Sequence, residues 1–209
     1  MAPAVRIFYP SSQRVSIILI KPHVIVTLLS GKRDNMPILK IARMGHPVLL
    51  EQAVAVTDIA SVQDLIQDMA ETLIDSGGIG LAAPQVHASD RVILISVPAG
   101  RTEEDEGETP ITALINPVLT PIGDEKVMGW EGCLSIPGLR GSVPRFQAVQ
   151  FEALNIKGEP MSGEARGMMA RVLQHEVDHL DGILYPMRMQ DHSQFGFDEE
   201  IGRYALNQD

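Results

Sequence analysis

Residues 175 to 179 read His-Glu-Val-Asp-His. Side chains four apart on a helix lie on one face, so His175 and His179 can offer two imidazole nitrogens to one metal ion, and Glu176, one step round, can reach a water there. The plainer account is a solvated helix that carries two histidines by chance. Against it, the glutamate falls inside the pair, and the apolar Met168 and Val172 continue the histidine stripe upstream, as expected of a face turned inward. A catalytic site of this kind takes three protein ligands and leaves one position open. A third ligand is therefore needed.

Three sources offer one. In one protease class the pattern runs on to a third histidine after a glycine; this chain has the glycine, Gly182, but Tyr185 stands at the last position. In another class a later glutamate serves, and Glu199 or Glu200 in the polar tail would make the chain a zinc endopeptidase. The third source is Cys133, within Trp130-Glu131-Gly132-Cys133-Leu134-Ser135, whose thiolate suits a borderline or soft ion. A lone cysteine is otherwise a small buried hydrophobe. A non-catalytic binding module stabilised by metal is a further alternative, and it would need a fourth protein ligand.

The elements that must position these residues follow from periodicity. Ser61 with Asp64 has capping-box form, and Val62, Leu65, Ile66, Met69 and Leu73 recur at helical spacing until Gly77 and Gly78, which predicts a helix over about 61 to 75. Arg91 to Val97 and Ala113 to Leu119 read as strands, the second placed on an edge because Pro117 interrupts it. Phe146 to Leu154 alternates as another strand before a turn at Lys157-Gly158. Helical spacing returns from about Gly163 to His179 and stops at Gly182. Strands and helices without regular alternation argue for an α+β fold over a doubly wound sheet.

Three segments, in order, resemble the motifs of the peptide deformylases: Gly78-Ile79-Gly80-Leu81-Ala82-Ala83-Pro84-Gln85, Glu131-Gly132-Cys133-Leu134-Ser135 and Gln174-His175-Glu176-Val177-Asp178-His179. The resemblance spans roughly residues 36 to 190. It implies antiparallel or mixed β-sheets wrapped around a central helix carrying the histidine pair. It also implies Cys133, His175 and His179 as ligands of one divalent ion, Fe2+ in most bacterial members, with zinc, nickel or cobalt as alternatives. The implied reaction removes the formyl group from N-terminal formylmethionine of newly made proteins. In it Glu176 moves the proton, while the Gln85 amide and the Leu134 backbone N–H stabilise the oxyanion. Gln85 is otherwise a turn residue after Pro84. Ile79 and Gly80 would offer backbone to an extended peptide in the manner of an added strand, with Gly132 and Arg140 also on the substrate side.

Bulk properties narrow the partners. With 17 basic and 27 acidic residues the formal charge is -10, which disfavours nucleic acid and anionic membranes. Nascent formylated peptides remain the expected partners, with at most transient proximity to the ribosome. The acidic run from Glu103 to Glu108 reads as a solvated loop, and the single cysteine excludes an internal disulfide. Before Asp34 the chain has no acid but has Arg6, Arg14, Lys21, Lys32 and Arg33, so residues 1–35 read as an appendage or alternative-start segment ahead of one catalytic domain over 36–209. A bacterial cytoplasmic location is expected, with an organelle as the alternative if that basic segment is a targeting sequence.

Overall fold

The computed structural model describes residues 37–96 and 110–204. The basic N-terminal segment and the acidic run between residues 103 and 108 lie outside them. In chain order the named elements are α1 (Gln63–Ser76), β1 (Gly80–Ala82), β2 (Val92–Ile95), β3 (Thr112–Pro121), β4 (Lys126–Cys133), β5 (Ile136–Phe146), β6 (Ala148–Leu154), β7 (Pro160–Arg166), α2 (Gly167–Leu180), β8 (Phe195–Phe197) and α3 (Asp198–Tyr204). They form a five-stranded sheet in the order β1-β2-β3-β6-β7 and a three-stranded sheet β4-β5-β8, with every strand pair antiparallel. This is the α+β architecture expected.

The larger sheet is covered on both faces, which explains why β2 is an unbroken apolar run. Successive side chains of a strand point to opposite sides. Ile93, Ile95 and Leu114 pack with Met169, Ala170, Val172 and Leu173 of α2. Val92, Leu94, Ala113 and Ile115 pack instead with Ile66, Met69, Ala70 and Leu73 of α1. Burying each large aliphatic side chain contributes about 2 kcal/mol. A third cluster, Ala42, Leu49, Ile136, Val143, Leu184, Tyr185 and Met189, holds the smaller sheet.

Several boundaries differ from the periodicity. The first helix is preceded by a 3-10 turn over Ile59–Val62, and its cap is Asp58, whose carboxylate accepts from the Ala60 N–H at 2.9 Å; Ser61 donates to the Asp58 carbonyl instead of capping. Gly77, at φ 62, ends α1 as expected. The strand containing Pro117 is interior, between β2 and β6, and not an edge. A bulge between Ile115 and Val118 removes the proline from the ladder. There Asn116, at φ 53, turns its side chain to both the N–H and the carbonyl of Val56. The second helix starts at Gly167, because Gly163 to Arg166 complete β7. Beyond its end Gly182 adopts φ 71, and a Cβ there would fall 2.6 Å from the Leu50 carbonyl oxygen.

Candidate metal centre

The centre sits where the two sheets meet. Helix α2 brings His175, Glu176 and His179, all buried, from the larger sheet's side. Cys133 comes from the end of β4, where the register slips between Gly132 and Cys133 before the hairpin turns through Leu134 and Ser135. Among the described residues these three side chains, Cys133, His175 and His179, form the one group whose ligand atoms converge, all within 4.8 Å of one another. The Cys133 sulphur lies 3.2 Å from His179 Nε2, and the Ser135 N–H points at the sulphur at 3.4 Å. One thiolate and two imidazoles form a donor set that fits a divalent iron or zinc ion with one position open. The Glu176 Oε2 atom is buried and has no hydrogen-bond partner among the described residues, as suits a carboxylate aimed into the open position.

His175 is held from behind, whereas His179 Nδ1 is buried without a hydrogen-bond partner among the described residues. Glu131 of β4 accepts from His175 Nδ1 at 2.9 Å, which turns Nε2 toward the centre. The same carboxylate takes a two-point contact from Arg145, at 2.8 and 3.0 Å, and a third from Arg171 at 2.9 Å. Burial opposes its charge, but the hydrogen bonds from His175 and Arg145 outweigh burial and hold Glu131 down to about 2. Arg145 also donates to Asp178 at 2.5 Å, and Asp178 receives Arg188 at 2.7 Å, so the middle of the histidine motif is tied to the chain beyond the helix. Tyr185 stacks on His175 at 6.1 Å between ring centroids, and its hydroxyl donates to the Leu139 carbonyl at 3.1 Å. Tyr185 therefore packs behind a histidine at the position where the longer protease motif has a ligand.

Burial pushes Glu176 up to about 7, against the opposing pull of His175. That value suits a group that both accepts and returns a proton near neutral pH. Burial, and after it the neighbouring His175, drive His179 well below its ordinary range.

The first glycine-rich segment supplies the opposite wall. Glu176 lies directly over Gly80, where a Cβ would fall 2.2 Å from Oε1. Gln85 is buried in a 3-10 turn, Ala83–Val86; its Oε1 accepts from the Ala82 N–H at 2.8 Å, and its Nε2 faces the Cys133 sulphur at 3.5 Å and Ser135 Oγ at 3.3 Å. It is both the turn residue and a donor aimed at the centre. Ile79 and Gly80 lie at and beside β1, the end strand of its sheet. Gly132 pairs with Arg140 across β4 and β5. Arg140 is half-exposed and ion-paired with Asp198 of α3. Glu199 and Glu200 are exposed beside it, in a surface cleft with Gly138 and Phe197, and do not join the converging ligand group. The glutamate-ligand alternative is thereby removed. Within the described residues, the binding-module alternative lacks its fourth ligand. Among the other histidines, His46 and His87 are exposed and pack edge to face at 4.7 Å, and His192 lies in an exposed 3-10 turn. Arg171, which carries much of the support, was not marked by any motif; its only signal was its place one helical turn ahead of His175.

The sequence profile of the polypeptide deformylase family matches residues 38–195. Peptide deformylase 1 of Nitrosomonas europaea is 42% identical over 163 residues, covering 77% of this chain and 93% of its own. Peptide deformylase 2 of Pseudomonas putida is 45% identical over 165 residues, with the same coverage of 77% and 93%. Among solved structures, the class I type b peptide deformylase of Acinetobacter baumannii with Met-Ala-Ser bound superposes with a TM-score of 0.69 at 36% identity, over 74% of this chain and 100% of that one. The Thermotoga maritima peptide deformylase gives 0.66 at 35% identity, over 74% and 99%. With the converging cysteine and histidine pair and a sequence match that takes in all three motifs, the chain belongs to the polypeptide deformylase family.

Proposed function

We propose that Cys133, His175 and His179 hold the metal with which this chain works, and that Glu176 is its proton carrier. The chain is a metal-dependent hydrolase that removes the formyl group from N-terminal formylmethionine. The observation that carries the residue assignment is the convergence of one sulphur and two imidazoles beside a buried, unpartnered carboxylate oxygen. When bound, a divalent ion supplies Lewis acidity, polarising the formyl oxygen and acidifying water. Glu176 takes the proton from the attacking water and returns it to the departing amine, while formate leaves. The Gln85 amide and the Leu134 backbone N–H face the developing oxyanion. The end strand β1, with Ile79 and Gly80, receives the peptide as an added strand, and Gly132 leaves its backbone open on the other side. The Acinetobacter relative carries a peptide that begins with methionine, in keeping with this mode. Arg140, ion-paired through Nε with Asp198, lies on the same side as Gly132.

Fe2+ is the proposed native ion, with zinc, nickel or cobalt able to occupy the same donors. Anaerobic purification followed by elemental analysis decides between them. The proposed setting is the bacterial cytoplasm beside emerging chains, with residues 36–209 as one catalytic domain; no helix among the described residues is long and apolar enough to cross a membrane. The full chain is expected to release formate from formyl-Met-Ala-Ser and to stop when a chelator removes the ion. Cleavage of an unformylated internal peptide bond with no formate released would overturn the reading.

Gly80→Ala offers a second check. Its Cβ would meet the Glu176 carboxylate at 2.2 Å, so the carboxylate must move, and a shift on the order of 1 Å at a reacting group can cost about a hundredfold. The expected variant keeps its metal and loses kcat. A normal kcat would show that Glu176 has room to adapt.

A further inference from the structure

Building the centre requires elements of two different sheets to meet. Cys133 belongs to the three-stranded sheet, whereas His175 and His179 sit on a helix packed against the five-stranded one. The sulphur-to-imidazole distance is therefore set by whatever ties the β4-β5 hairpin to α2. Arg171 is such a tie. From α2 its Nη2 donates to the Val127 carbonyl at 2.7 Å, and its Nη1 donates to the Val143 carbonyl at 2.9 Å, the Gly129 carbonyl at 3.3 Å and Glu131 Oε1 at 2.9 Å. One side chain thus reaches both strands of the hairpin that ends at Cys133, and also the carboxylate that orients His175.

Gly129 makes room for it. A Cβ there would fall 2.6 Å from the Arg171 guanidinium carbon and 2.6 Å from Nη2. Gly129 is not among the glycines with positive φ, so backbone conformation does not demand glycine at this position; the arginine does. The Arg171 side chain is only 11% exposed, so its donors are largely withdrawn from solvent and satisfied by these acceptors. Glu131 does not depend on it for neutralisation, since Arg145 already makes a two-point contact with that carboxylate. What Arg171 adds is the tie to three backbone carbonyls, with the fork geometry that a guanidinium has and an ammonium lacks.

We propose that Arg171, lying against the bare backbone of Gly129, is a positioning residue that sets the spacing between Cys133 and the histidine pair and so governs how tightly the ion is held. This rests on the ligand set proposed above. The test uses the full chain loaded with Co2+, whose absorption reports ligand geometry and whose sulphur-to-cobalt band reports the thiolate. Arg171→Met is expected to shift both and to speed chelator-driven release about tenfold, within the range for lost outer contacts of a metal site. Arg171→Lys should recover part of the loss. Gly129→Ala should reproduce the methionine variant, and adding it to Arg171→Met should change release little further, because the clash it creates acts through the arginine.

Two results overturn the idea in distinguishable ways. If the wild-type chain binds cobalt with the thiolate band and Arg171→Met leaves band and release rate unchanged, the positioning role is wrong and the ligand set stands. If the wild-type chain shows no thiolate band, the ligand set fails and this inference fails with it. Should Arg171→Met not fold, Gly129→Ala and Arg171→Lys carry the same readouts: a wild-type spectrum and release rate in both overturns the role, and altered values support it.

Discussion

Glu176→Ala is expected to leave the chain folded and metal-loaded while lowering kcat for a formylated peptide by about a hundredfold to ten-thousandfold, the range over which positioned acid–base groups act. Glu176 is not among the three converging ligands, so the ion should remain. Nor does the fold depend on it. Its Oε2 is buried without a hydrogen-bond partner among the described residues, and burial pushes the carboxyl up to about 7, both marks of a group that costs stability where it stands. The variant should therefore melt no lower than wild type, and Glu176→Gln, which keeps the shape but cannot accept a proton, should be just as slow. Formate release, metal content and thermal unfolding measured together provide the check. Near-normal turnover in either variant would exclude Glu176 as the proton carrier.

The second large effect is on stability. Glu131→Ala is expected to destabilise the chain by about 3–5 kcal/mol, the usual consequence of removing one partner from a buried ion cluster. The carboxylate is 5% exposed and holds Arg145, Arg171 and His175 together. Asp178 would remain on Arg145, but no other carboxylate in the described ion pairs contacts Arg171. The orientation of His175 would also be lost, so metal affinity should fall about ten- to a hundredfold. Denaturant unfolding with and without added metal separates the two effects. A midpoint close to wild type would show that the cluster relaxes around its loss. Arg171→Met, by contrast, keeps the Arg145–Glu131 contact and should cost far less in stability than in metal retention.

Much of this was legible in advance wherever a residue's role depends on its neighbours along the chain. The histidine pair needs only helical spacing, and of the stripe upstream Val172 is buried while Met168 packs partly buried against the same core. The strand at β2 and the end of α1 at Gly77 likewise followed from local pattern. The β4-β5 hairpin did not. Gly129, Gly132, Pro137, Gly138, Gly141 and Pro144 lower its strand propensity, and its pairing is supplied by partners across the sheet and by Arg171 beneath it. Pro117 misled in the same way, because a bulge and the Asn116 contact to Val56 let an interior strand carry a proline.

By itself the sequence determined the types of group available: a helical histidine pair with a glutamate inside it, one cysteine, and glycines at Gly78 and Gly80, all encoded within short windows. Only the tertiary structure decided which of the candidate third ligands meets the histidines, since Cys133 and His179 are brought to 3.2 Å from 46 positions apart while Glu199 and Glu200 are left at the surface. It also decided what surrounds them. The charges of Glu131, Arg145, Arg171 and Asp178 would read along the chain as solvated surface, and they become a buried lattice behind the metal ligands, with the half-exposed Arg188 at its edge, because packing both sheets against α2 removes them from water and leaves each to be satisfied by another.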